Sequence, residues 1–183
     1  MDHGISILYN IAWRAKEYAQ NVVYGDSLHS FQLFPSYCYM LEREKPRTVK
    51  TLQTDEENRF EYFFMALGVS ISGFRACKPV VAIDGTYLKG KYKGIFYVTG
   101  AMDSNEQIFP IAFGLGDLEN ERGWKWFLIE LCNVIRSRRD SILISNHHIS
   151  IKNAIAKVFL DASYGLCSYH MKQNLKNIRM KRS

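Results

Sequence analysis

The chain has 183 residues, 47% hydrophobic and 14% aromatic, which is enough apolar material for one domain with an appendage and too much for a disordered tail. Its formal net charge of +6, gathered at 89–93, 136–139 and 172–182, fits a polyanionic partner and ordinary solvated faces about equally. No apolar run is long enough for a membrane span, no signal-peptide pattern opens the chain, and the four cysteines lack CxxC spacing, so an intracellular protein without a zinc ribbon or disulfide framework is expected.

Apolar residues at spacings of three and four, from Ile5 to Val22, predict an amphipathic helix over 5–24 that ends near Gly25. A second helix is expected over 27–44, starting as late as Ser30, with Leu33, Phe34, Tyr37, Cys38 and Leu41 on one side. Pro35 suits its first turn, and Lys45-Pro46-Arg47 stops it. The pair reads as a DNA-entering helix-turn-helix or as a packing hairpin, and the lack of a basic cluster on the second helix favours packing. Residues 48–54 alternate as a half-buried strand, and the aromatic run at 59–67 is expected to be another. Residues 69–77 read as a short helix or loop.

Val80-Val81-Ala82-Ile83 is a continuous apolar run, expected to be a strand buried on both faces, with Asp84 at its end and Gly85 in a sharp turn. Asp-Gly is also a common turn pair, so those two residues alone argue only weakly for a site. Strands over 94–102 and 107–113 flank the turn-forming Asp103-Ser104-Asn105, completing a three-strand meander. Asp117 and Glu119 are expected to cap a helix whose stripe of Trp124, Phe127, Leu128, Leu131 and Ile135 runs to about Ser137. A buried strand at 141–145 delivers Asn146-His147-His148, a helix covers 150–159, a short strand 164–167, and a basic helix begins at Tyr169. Meander followed by βαβ crossovers implies an α/β fold with a mixed sheet.

Asp84-Gly85-Thr86, the run Leu88 to Gly94, Pro110-Ile111-Ala112-Phe113-Gly114 and Trp124-Lys125-Trp126-Phe127 together resemble the catalytic domain of plant Mutator-like element (MULE) transposases. The resemblance implies a ribonuclease H-like domain over 75–183, preceded by a helical accessory region at 1–47 and a connecting segment at 48–74. It also implies a DDE site in which carboxylates share two Mg²⁺ or Mn²⁺ ions about 4 Å apart. In that topology the tips of the first and fourth strands meet, which brings Asp84 beside position 146. The family's second acid is here Asn146, a neutral amide, and no residue matches its third, a Glu on a later helix. The resemblance therefore implies weak or absent metal binding through Asp84 and no strand transfer, in a truncated or decayed derivative or a chain annotated short of its true end.

DNA is the implied partner, in the nucleus, through Lys89, Lys91, Lys93, His147, Lys172 and Lys176, with self-association left open. Lys172, Lys176 and Arg179 share one helical face. Cys167 and His170 resemble the family's C-x-x-H motif, and one Cys and one His do not complete a four-coordinate zinc site. His147 and His148 read as metal or phosphate contacts or as loop residues, the last favoured. Two rival readings stand beside the first: a domesticated, transcription-regulatory DNA-binding protein without catalysis, and an active metal-dependent nuclease built on Asp84.

Overall fold

The computed structural model describes residues 10–11, 14–16, 18–19, 32–89, 93–135, 141–146 and 148–168. The helices expected over 5–24 and from Tyr169, and the residues Lys91, His147, His170, Lys172, Lys176 and Arg179, fall wholly or largely outside them. The chain divides into two compact units, Met1–Met40 and Leu41–Ser183. The described residues of 10–19 are helical.

Helix α1 (Phe34–Glu44) has Pro35 in its first turn, where a missing N–H costs nothing, and it ends before Pro46 as expected. Strands β1 (Val49–Thr54) and β2 (Phe60–Ala66) follow as an antiparallel pair. A helix α2 (Gly68–Gly73) and a 3₁₀ turn (Phe74–Ala76) then lead to β3 (Val80–Tyr87). After it come β4 (Ile95–Met102), β5 (Ile108–Gly116), α3 (Glu121–Ile135), β6 (Ile142–Ser145), α4 (Ile149–Val158) and β7 (Ser163–Leu166). The seven strands form one mixed sheet in the order β1-β2-β5-β4-β3-β6-β7, antiparallel up to β3 and parallel from β3 through β6 to β7. The two strands expected within the connecting segment at 48–74 are thus present, and both join the same sheet.

The core lies between one face of this sheet and the α3–α4 pair. Trp124, Phe127, Leu128 and Leu131 of α3 and Ile151 and Ala154 of α4 are fully buried. Tyr97 of β4 meets Trp124 edge-on at 4.6 Å and stacks on Phe127 at 5.0 Å, and Tyr62 of β2 stacks on Trp126 at 5.0 Å. Burial raises the Tyr97 pKa, so its hydroxyl stays neutral there.

Two strand readings are corrected. Val81 and Ile83 are buried while Ala82 and Asp84 are exposed, and in β6 Leu143 is buried while Ile142 is 40% exposed. Both strands thus bury one face, because α3 and α4 cover only that side; an apolar run cannot reveal how many sides will be covered. Nor does β3 turn at Gly85. It runs on to Tyr87, and the glycine serves a close approach, since a Cβ there would stand 2.8 Å from both Ile95 Cδ1 and Trp124 Cζ2.

The β4–β5 turn behaves as expected, with Asp103 Oδ1 accepting the N–H groups of Asn105 and Gln107, each at 2.8 Å. Pro110 sits beside a bulge in β5, where the register shifts between Thr99 and Gly100 and the missing N–H is tolerated. No helix among the described residues is long and apolar enough to cross a membrane.

Candidate functional site at the β3–β6 tips

Parallel pairing sets Ile83 of β3 opposite Ser145, the last residue of β6. The next residues are Asp84, within β3, and Asn146, just past the end of β6, so residues 62 positions apart become neighbours. Asn146 Nδ2 donates to Asp84 Oδ1 at 3.4 Å. Its own Oδ1 accepts the His148 backbone N–H at 3.0 Å, ahead of α4. That bond decides which way the amide faces: with the oxygen engaged by the backbone, the NH₂ is the end presented to Asp84.

The tip is braced from behind. Ser145 Oγ, almost fully buried, donates to the Asn146 carbonyl at 3.0 Å and lies 3.0 Å from the Tyr164 hydroxyl of β7. The backbone N–H of Cys167, just past β7, bonds the Ser145 carbonyl at 2.9 Å. Asp84 itself is exposed, open to an approaching ligand.

The acids before α3 are placed otherwise than the sequence suggests. Asn120 provides the helix cap, its Oδ1 accepting the Gly123 N–H at 2.8 Å, and Asp117 Oδ1 accepts the adjacent Leu118 N–H at 2.7 Å. Glu119 turns inward instead, with a side chain only 8% exposed and one oxygen 3.9 Å from His148 Nδ1. Its carboxylate, close to the Tyr87 hydroxyl, raises the Tyr87 pKa. This Tyr87–Glu119–His148 group was hidden in the sequence, because an acid ahead of a helix reads first as dipole compensation.

Of the basic residues, Lys89 and Lys93 are exposed on the connection between β3 and β4, which the Leu88 N–H closes by bonding the Gly94 carbonyl at 2.9 Å. Asp103 is a turn residue, far along the sheet from this rim. Among the described residues no group of three or more His, Cys, Asp or Glu side chains is arranged to hold a metal ion.

The family model of the MULE transposase domain matches residues 80–174, a span that opens with β3 and contains both strand tips. It covers just over half of the 183 residues. No curated protein matches the chain.

Proposed function

The chain belongs to the MULE transposase domain family, and on that premise we propose that it is a transposase-derived DNA-binding protein that has lost strand-transfer and cleavage chemistry. The observation that carries this reading is the Asn146 amide donating to Asp84. A two-metal centre needs anionic oxygens facing one another across the ions, whereas here one carboxylate already meets a donor. The amide offers Asp84 a donor, and a second charge is missing where the ions would demand it. The donor set does not fit two divalent ions.

The ribonuclease H-like fold is part of the same reading. It is supported by the central order β5-β4-β3-β6-β7, an antiparallel meander extended by two parallel strands with helices between them. DNA as ligand is supported by the family and by exposed Lys89 and Lys93 near the strand tips. Lys91, His147, Lys172 and Lys176 belong to that proposed surface by sequence. A nuclear location follows from the same ligand.

Incubation of the protein with supercoiled plasmid and Mn²⁺ tests the loss of chemistry. No nicking is expected from the wild type, and nicking that disappears in Asp84→Ala would restore the nuclease reading. Duplex binding measured across a salt series tests the ligand: affinity should fall as salt rises, and salt-independent binding would remove the phosphate contacts. Retained binding without cleavage marks a domesticated, transcription-regulatory protein rather than an inert remnant.

A further inference from the structure

We propose that the sheet face opposite α3 and α4 carries a self-association surface at the end away from the strand tips, and that its occupant is a second copy of this chain, packed sheet to sheet about a two-fold axis along β4. Leu143, Val81 and Ala101 turn into the core, so their neighbours Ile142, Ala82 and Met102 point the other way. Register sets Met102 opposite Ile108 and Gly100 opposite Pro110, which carries the same face across β5. Ile142 and Met102 are each 40% exposed and Ile108 is 84% exposed, while Ala82 and Pro110 also lie in water. Four neighbouring strands thus show solvent an apolar surface.

Charge, shape and size say what that surface fits. At its border Lys78 and Glu106 pair at 3.2 Å, so this edge offers no net charge to select a polyanion or to repel an identical surface. Asp84 follows on the same face about 7 Å beyond Ala82 and bounds the patch toward the tips. Ile108 is a seated knob, lying over Gly100, where a Cβ would stand 3.2 Å from its Cγ2. With the axis along β4, β5 of one copy faces β3 of the other, so each Ile108 meets the low ground at Ala82 and the contact is made twice. The two Asp84 carboxylates fall on opposite sides of that axis. Four strands about 4.8 Å apart, with two facing residues on each, span roughly 19 by 14 Å, the scale at which an exposed apolar patch marks an interaction site. Two such surfaces, counted flat, remove roughly 500 Å² from water, less than the ~1,200 Å² of a stable interface. The pair is therefore weak and reversible, forming at roughly 10–100 µM chain.

Sedimentation equilibrium over roughly 1–500 µM chain, which brackets that range, tests the inference. The average mass should climb from monomer to dimer and stop there. Ile108→Asp and, separately, Ala82→Arg should each raise the concentration of half-association about ten-fold or more, because a charge would enter an apolar contact. Both positions face water, so circular dichroism and thermal melting of the two variants should match the wild type. Leu160→Asp, at an apolar residue 81% exposed in the connection between α4 and β7, should leave the association unchanged. A monomer at every concentration, or growth beyond the dimer, overturns the two-fold pair. Association that Ile108→Asp and Ala82→Arg leave intact, or that Leu160→Asp weakens as much, overturns this face as its site.

Discussion

Replacing the Asn146 amide by a carboxylate would leave the His148 N–H bonded and set a second anionic oxygen against Asp84, where Nδ2 now donates at 3.4 Å. Two like charges at such a distance on a wet rim repel by about 1 kcal/mol. Asn146→Asp is therefore expected to lower stability by roughly that amount in a chelator, to recover it when Mn²⁺ is added, and to show calorimetric Mn²⁺ binding that the wild type lacks. Equal melting of the variant with and without the ion would mean that the rim is not a vestigial cation site. Gly85 supplies a second residue-level expectation. Because an added Cβ would press on Ile95 and Trp124 at 2.8 Å, Gly85→Ala should destabilise by about 1–3 kcal/mol in denaturant titration.

Between elements, the join of α3 to α4 carries its own pH signature. Glu121 at the start of α3 accepts from Lys157 and from Asn153 Nδ2 of α4. The Lys157 bond first, and then that of Asn153, hold its pKa below the ordinary carboxylate value. A carboxylate whose folded pKa is depressed adds stability that is fully present above its unfolded pKa and is lost as pH falls through the folded one. The stability difference between wild type and Glu121→Gln, measured by chemical denaturation, should accordingly be present at pH 7 and shrink as the pH is taken below the carboxylate range. An unchanged difference at acid pH would assign the effect to packing. The same helix is anchored to the sheet by aromatic contact, and Trp124→Ala, which removes a fully buried ring, should cost about 3–5 kcal/mol.

For the molecule as a whole, the measurable consequence is electrostatic. Lys89 and Lys93 are exposed at one end of the sheet within a chain of net charge +6. If both meet phosphates, the double variant Lys89→Ala, Lys93→Ala should weaken duplex binding and flatten the slope of log affinity against log salt by about 2. A slope that does not change would place the phosphate contacts elsewhere.

How far the amino-acid order reached can be judged at particular elements. The stripe of Trp124, Phe127, Leu128, Leu131 and Ile135 announced α3, the aromatic run at 59–67 announced β2, and Asp103-Ser104-Asn105 announced the β4–β5 turn, because period and turn chemistry are local. The nearness of Asp84 and Asn146 was carried by family resemblance and by no periodicity. What the tertiary structure alone decided is non-local: that β1 and β2 extend the central sheet, that β3 and β6 bury a single face, and that Glu119 turns from the helix end toward His148 and Tyr87. Local patterning states which residues must leave water. Which surface covers them, and which distant side chain an acid then faces, is settled only when strands pair and helices pack.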